Sequence, residues 1–245
     1  MRRIITIADR TSDIVMRRLS LLLLLTVFTV ATNAQKARWQ AGTVISDSQL
    51  KTLDTDKCFT SEKINDELFA RINGKSWKTY CTLQRDDLRY IKVLHKNADG
   101  KTQRGELIVN RDVADDVLFV FRELYKADYK IERMVLIDDY DADDEKSMAA
   151  NNTSSFNFRF VTGSKKVISN HGKGKAIDIN PLYNPYVKGD VVSPSEGRKY
   201  AYNRNKDIPY LIDKNDLAYK LFTKCGWRWG GNYKSLKDYQ HFEKE

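Results

Sequence analysis

The sequence has few of the residues that most often bind transition metals, since its 245 positions hold only three histidines and three cysteines. Cys58, Cys81 and Cys225 lie far apart and lack the close spacing of a cysteine-based zinc site. Because three is an odd number, at most one disulfide can form within the chain. We expect Cys58 to pair with Cys81 in an oxidising compartment and Cys225 to be a buried thiol.

The sequence also lacks a run of basic residues, although its formal net charge is +9. Residues 1–34 hold five arginines and two aspartates, which leaves +6 for the rest of the chain. There the lysines are interspersed with acidic residues and form neither a basic stripe nor a recognisable nucleic-acid-binding module, so we expect no nucleic-acid partner. A mildly positive surface suits an anionic polymer such as a bacterial cell wall. The hydrophobic content of 41% argues against intrinsic disorder.

The longest apolar run lies near the N-terminus and is short for a membrane span. A pair of arginines precedes the mostly apolar residues 19–31, and small residues follow. This pattern predicts a secretory signal peptide at residues 1–34, starting at Met1 or at Met16, which begins the more typical signal. A retained membrane anchor is the alternative, but a span needs about 18 apolar residues. We expect cleavage, no stable membrane insertion afterwards, and a periplasmic or extracellular location in a bacterium.

The remaining sequence mixes helical and strand patterns without a regular alternation of the two. No repeat and no low-complexity segment is present. Apolar periodicity predicts helices at 66–72, 113–125 and 216–224, and strands at 87–95, 106–110, 134–138 and 176–179. The irregular order favours an α+β fold over a doubly wound α/β fold.

Two of the three histidines lie in short stretches that also hold a carboxylate. His171 and Asp178 lie seven residues apart with two glycines between them, and Asp238 and His241 lie three residues apart. Two neutral imidazoles and one carboxylate form a three-ligand zinc site with one open position. The other carboxylate can then act as a general base toward water. These stretches therefore predict a metallohydrolase site, provided that the fold brings them together.

Each of these residues also has a simpler explanation. Asp178 can cap a turn with Asn180 and Pro181, and Asp238 can be an ordinary solvated charge. A lone histidine is more often a core or surface residue than a ligand, and we interpret His95 in this way. The H-x₆-D…D-x₂-H spacing is less specific than H-E-x-x-H, so spacing alone leaves both interpretations open.

These motifs resemble the zinc D-Ala-D-Ala carboxypeptidase family, which includes VanY-type enzymes and bacteriophage L-alanyl-D-glutamate endopeptidases. The family shares its fold with the Hedgehog signalling domain. The matching stretches are residues 152–159, 169–178, 178–186, 226–231 and 238–241. The resemblance covers roughly residues 105–245 and implies a Hedgehog/DD-peptidase-like α+β fold. In such a fold a central antiparallel sheet has flanking helices, and zinc lies in a cleft.

Transferred position by position, the resemblance implies that His171, Asp178 and His241 bind one Zn²⁺. It implies that Asp238 is the general base, at a position where relatives often have Glu. It also implies that Arg159 holds the oxygen of the scissile carbonyl, where a fixed guanidinium would stabilise the developing negative charge. The alternative for Arg159 is a surface arginine in a phenylalanine-rich strand.

Other residues are candidates for contacts with a substrate. Ser169 is expected either to bind substrate, to support a metal ligand, or simply to cap a turn. Trp227 and Trp229 share a face of a strand and could wall the cleft, with core packing as the alternative. Tyr202 and Arg204 are weaker candidates for its rim.

The first hypothesis is an exported zinc-dependent peptidase that hydrolyses an amide bond in peptidoglycan stem peptides, as a D,D-carboxypeptidase or an endopeptidase. Its catalytic domain is expected at residues 105–245, after a mostly helical portion at residues 35–104. The second hypothesis is a non-catalytic, zinc-stabilised module of the same fold that binds the cell wall or a protein. Asp238 and Arg159 favour the enzyme, because a structural zinc site needs neither residue. The sequence leaves open which peptide bond is cut.

Overall fold

The computed structural model describes residues 39–161, 163–164, 166–205 and 207–245. The signal peptide predicted at residues 1–34 lies outside the described residues. Where the structure does describe the chain, no helix is both long enough and apolar enough to cross a membrane. Residues Gln40–Glu245 form one compact unit.

The described residues contain five α-helices and nine β-strands. The helices are α1 (Asp47–Leu50), α2 (Asp66–Ile72), α3 (Ala114–Lys126), α4 (Asp144–Ala149) and α5 (Leu217–Lys224). The strands are β1 (Thr60–Lys63), β2 (Leu88–Lys96), β3 (Thr102–Asn110), β4 (Ala176–Asp178), β5 (Tyr186–Lys188), β6 (Val191–Ser193), β7 (Arg228–Trp229), β8 (Lys237–Asp238) and β9 (His241–Glu243). Short 3₁₀ turns connect several of them. This mixture of helix and antiparallel strand is of the predicted α+β class.

The described strands form three small antiparallel sheets and not the single central sheet that the resemblance implied. Their orders are β1–β2–β3, β4–β9–β7 and β6–β5–β8. Only β2 and β3 are nine residues long, and all strands after residue 110 have two or three residues. Among the described residues, none of these later strands pairs with the first sheet.

The prediction of a mostly helical portion at residues 35–104 is wrong for the part that is described. Its two helices have four and seven residues, whereas β2 and β3 pair along nine matched positions. The long hairpin dominates because it buries apolar side chains on both faces, Ile91 and Val93 on one and Leu94 on the other. The helical spacing at residues 66–72 was correct locally, but it did not extend to the residues around it.

One hydrophobic cluster joins the two portions that were expected on either side of residue 104. Ile72 and Leu88 pack there together with Phe156 and Phe158, and all four are at most 3% exposed. The expected boundary also falls inside β3. The N-terminal portion therefore shares its core with the segment that leads to the functional site.

The strand predicted at residues 134–138 is not formed. The backbone N–H of Val135 donates to the side-chain oxygen of Asn152 (2.9 Å), and that of Leu136 points to the carboxylate of Glu106 (3.4 Å). Side chains thus take the hydrogen bonds that a neighbouring strand would have used. A 3₁₀ turn then begins at Ile137.

The three cysteines are free thiols, so the expected bond between Cys58 and Cys81 is not present. Cys58 is buried, whereas Cys225 is half-buried, in contrast to the buried thiol predicted from its apolar neighbours. Cys225 forms the C-cap of α5, at the end of the helix where one side faces solvent.

Packing of α5 against β9 orients the C-terminal motif. Phe222 of α5 stacks on Phe242 of β9 with ring centroids 4.6 Å apart, and Phe121 of α3 contacts Phe222 edge-on. Because successive side chains of a strand point to opposite faces, burial of Phe242 turns its neighbours His241 and Glu243 to the other face of the sheet.

Candidate metal centre

The register between β4 and β9 brings together two of the predicted ligands, which are 63 residues apart in sequence. Asp178 lies directly opposite His241 in this antiparallel pair. Directly paired residues carry their side chains on the same face of a sheet. His241 Nδ1 and Asp178 Oδ1 are accordingly 3.0 Å apart.

A tight turn places His171 beside this pair. Gly174 adopts φ +69°, and a Cβ at this position would lie 2.7 Å from the backbone nitrogen of Asn110, so only glycine fits without displacement. Asn110 then holds the turn by donating from its backbone to Gly174 O (2.7 Å) and from its side chain to Lys173 O (3.1 Å). The Nε2 atom of His171 consequently lies 3.2 Å from Asp178 Oδ2 and 3.1 Å from His241 Nδ1.

The three side chains offer one donor atom each, and these atoms lie within 4.8 Å of one another. His171, Asp178 and His241 are 5%, 8% and 8% exposed. The donor atoms are two imidazole nitrogens and one carboxylate oxygen, a set suited to a transition metal such as zinc. The residues present therefore fit a bound metal ion.

Hydrogen bonds behind the rings select the nitrogen that faces the cluster. His171 Nδ1 lies 2.7 Å from the carbonyl oxygen of Ser155, so this nitrogen carries the proton and Nε2 is left as the donor to a metal. His241 Nε2 lies 3.3 Å from Glu243 Oε2, so Nδ1 is the nitrogen of this ring that faces the cluster. The sequence analysis missed Glu243, because no strand was predicted over residues 241–243.

The cluster is strongly polarised. Burial acts to lower the pKa of His241, but its hydrogen bonds to Asp178 and Glu243 raise that pKa to about 10. Burial acts to raise the pKa of Asp178, but His171 and His241 hold it well below its usual range. Asp178 is therefore a charged carboxylate at neutral pH and offers negative charge to a cation.

Asp238 lies at the end of β8, next to the three clustered residues in space but outside their set. Its backbone packs so closely on Gly230 that a Cβ there would lie 2.5 Å from Asp238 O and 2.7 Å from Asp238 Cβ. Among the described residues, none donates a hydrogen bond to the buried atom Oδ1 of Asp238. Burial raises the pKa of this carboxyl to about 6, against the lowering effect of His241. Asp238 thus combines a near-neutral pKa with a free acceptor atom.

Residues 162–244 match the family model described as D-alanyl-D-alanine carboxypeptidase. The matched segment, about a third of the chain, is similar to the D-alanyl-D-alanine carboxypeptidase family. This confirms the resemblance, and it supports a peptidase-type function in general. Comparisons with curated proteins and with solved structures gave no significant match.

Arg159 precedes the segment that matches the carboxypeptidase family, but it packs against the turn of His171. Its carbonyl oxygen accepts a hydrogen bond from Ser169 N (3.0 Å). Its guanidinium is half-buried and forms an ion pair with Asp144 (3.3 Å), whose Oδ1 also accepts from Asn157 (3.0 Å). Asp144 therefore limits the directions in which Arg159 can point, and the role of Arg159 toward a substrate stays a prediction.

Ser169 and Trp229 make contacts within the protein. Ser169 Oγ accepts a hydrogen bond from Gly172 N (3.0 Å) and so caps the turn that carries His171. Trp229 is 5% exposed and donates from Nε1 to Tyr239 O (2.8 Å). A contact of either residue with substrate stays a prediction. The contacts observed hold the turn that carries His171 and the segment between Asp238 and His241.

Tyr239, one of the two residues between Asp238 and His241, also makes contacts through its ring. The guanidinium of Arg204 lies 4.0 Å from the ring centroid of Tyr239 and donates to Asn184 Oδ1 (2.7 Å) and to backbone carbonyls. Tyr202 is exposed and donates to Gly189 O (3.1 Å). Arg204 therefore stabilises the turn between Asp238 and His241 through its contact with the ring of Tyr239.

Proposed function

We propose that this protein is an exported, zinc-dependent peptidase that hydrolyses an amide bond in peptidoglycan stem peptides. One observation carries this proposal. His171, Asp178 and His241 converge, with a fourth polar side chain, Asp238, left free beside them, in a segment of the carboxypeptidase family. The apolar N-terminal run supports export, and the mild positive charge suits an anionic cell wall.

In this proposal His171 Nε2, His241 Nδ1 and the carboxylate of Asp178 would hold one zinc ion. The ion would supply Lewis-acid polarisation of the scissile carbonyl. Asp238 accepts the proton of the attacking water on its free oxygen and later delivers it to the leaving amine. A pKa near 6 suits both steps, because the carboxyl group is ionised at neutral pH and still basic enough to take a proton.

Arg159 has the second chemical role. A substrate carbonyl placed between the metal centre and Arg159 would receive hydrogen bonds from the guanidinium as negative charge develops on its oxygen. Asp144 lies 3.3 Å from Nη1 of Arg159 but accepts no hydrogen bond from it, so this buried donor has no partner among the described residues and is free for a substrate carbonyl.

The test is product identification with defined muropeptides. The chain from Gln35 onward is incubated with stem peptides that end in D-Ala-D-Ala, with D,D-crosslinked dimers and with peptides containing L-Ala-D-Glu. Each incubation is run with added zinc and with a chelator, and products are identified by mass. Chelator-sensitive cleavage of one substrate is expected and would name the bond. A protein that binds zinc but cleaves none of them would contradict the peptidase proposal and favour a non-catalytic, zinc-stabilised binding module.

A further inference from the structure

We propose that Glu243 is a positioning residue of the metal centre. Its carboxylate selects the nitrogen that His241 offers to a metal, and it ties together the two segments that carry the histidines. This inference rests on the proposed function, because it concerns the same site. It adds a residue that lies outside the predicted ligands and outside the predicted base.

The first part of the argument is the geometry within β9. His241 and Glu243 are two residues apart in a strand, so their side chains share a face, and His241 Nε2 lies 3.3 Å from Glu243 Oε2. A carboxylate only accepts hydrogen bonds, so Nε2 has to carry the proton in this contact. Nδ1 is the nitrogen that faces the cluster, 3.0 Å from Asp178 Oδ1 and 3.1 Å from His171 Nε2, and it is the one that a metal would bind after displacing any proton shared with Asp178. Carboxylates that accept from the rear nitrogen of a metal-binding histidine fix both its tautomer and its orientation.

The second part is that Glu243 is itself held in place. Tyr233 donates from its hydroxyl to Glu243 Oε1 (2.5 Å), and Arg228 donates to the same oxygen (2.9 Å). The side-chain nitrogen of Asn170 donates to Oε2. A buried carboxylate at 8% exposure needs such donors to remain charged. Donors on three sides leave Glu243 little freedom to turn away from His241.

The third part of the argument is the link to the segment that carries His171. Asn170 directly precedes His171, and Lys173 donates to Asn170 Oδ1 (3.1 Å). Glu243 therefore contacts His241 directly and the segment of His171 through Asn170. The alternative is that Glu243 serves only to neutralise Arg228. Glu245 already pairs with Arg228 at the surface (2.7 Å), so this need does not explain a second, buried carboxylate at position 243.

Zinc affinity of the purified protein from Gln35 onward, measured by competition with a chromogenic chelator, tests the inference. We expect Glu243→Ala to weaken zinc binding about 10–100-fold. Glu243→Gln should weaken it less, because the amide oxygen can still accept from His241 Nε2. Glu245→Gln is the matched control, since it removes the same charge from another Arg228 partner without touching a histidine, and it should bind within about twofold of wild type.

A second readout separates positioning from general stability. In zinc-loaded wild type, the proton on His241 Nε2 should exchange slowly with water and give a ¹⁵N–¹H signal, which Glu243→Ala should lose. If Glu243→Ala and Glu243→Gln both bind zinc as wild type does and keep this signal, the inference is overturned while the proposed function stands. If wild type binds no zinc, the proposed function fails and this inference with it. If Glu243→Ala does not fold, Glu243→Met, which keeps the length of the side chain but cannot accept this hydrogen bond, is compared with Glu243→Gln by the same two measurements, and equal zinc affinity and equal signals in the two variants overturn the inference.

Discussion

Replacing Gly230 with alanine is expected to reduce turnover without removing the metal. The added Cβ would lie 2.5 Å from the carbonyl oxygen of Asp238 and 2.7 Å from its Cβ. Non-bonded contacts of this kind are normally about 3.5 Å, so one of the two backbones has to move by about 1 Å. Asp238 lies at the end of a two-residue strand, whereas Gly230 follows the buried Trp229. We therefore expect the base to move.

The size of the effect follows from that displacement. Misplacing a catalytic group by about 1 Å can cost on the order of 100-fold in rate. None of the three predicted ligands is among the atoms nearest to the new Cβ, so the zinc content should stay at the wild-type level. The loss is thus expected in kcat, with the bound metal unchanged.

The assay compares kcat/KM on the muropeptide identified as substrate, zinc content and free energy of unfolding. Gly74→Ala is the matched control, because Gly74 has φ +80° but open space around it. That variant should lose about 1–2 kcal/mol of stability through backbone strain and keep its activity. If Gly230→Ala is as active as Gly74→Ala, the position of Asp238 does not depend on its close contact with Gly230. Loss of zinc instead would show that the strain reaches His241.

Three further predictions follow from single contacts. Asp238→Asn should bind zinc as wild type does and lower turnover about 10²–10⁴-fold relative to Asp99→Asn, a control at an exposed position. Loss of zinc from Asp238→Asn would instead show that Asp238 is a metal ligand. Burial lowers the pKa of His95 from 6.5 to about 4, so the folded state disfavours protonation, and stability should fall by about 2 kcal/mol as pH drops from 6.5 to 4.5. Urea unfolding of His95→Asn should show a shallower pH slope, and an equal slope would contradict the prediction. Trp229→Phe should cost about 1–3 kcal/mol, because it strands the carbonyl of Tyr239; unchanged stability with a raised KM would favour a substrate contact.

Local patterns were sufficient where short-range physics decides. The apolar spacing at 66–72 correctly predicted α2, and the periodic segments at 113–125 and 216–224 correspond to α3 and α5 within a residue or two. The strand predicted at 134–138 failed because Asn152 competes for the backbone of that segment. The side chain responsible lies outside the window from which a strand is predicted.

The chemistry of the candidate site was also visible in residue types. Two histidines, each with a nearby carboxylate, were enough to name His171, Asp178, Asp238 and His241 as a set. Glu243 was missed because its importance depends on β9 being a strand and on its face. The contacts of Trp229 were undecided for a similar reason, since alternation in a strand does not say which face is buried.

The sequence by itself determined which atoms are available: two imidazoles, the carboxylates beside them and a glycine-bearing turn. Only the tertiary structure decided that they meet, because Asp178 and His241 converge through the register of β4 with β9, and a shift of one residue would turn one of them to the opposite face. It also decided which nitrogen of each ring faces the cluster, since that depends on Ser155 and Glu243, groups that stand behind the histidines.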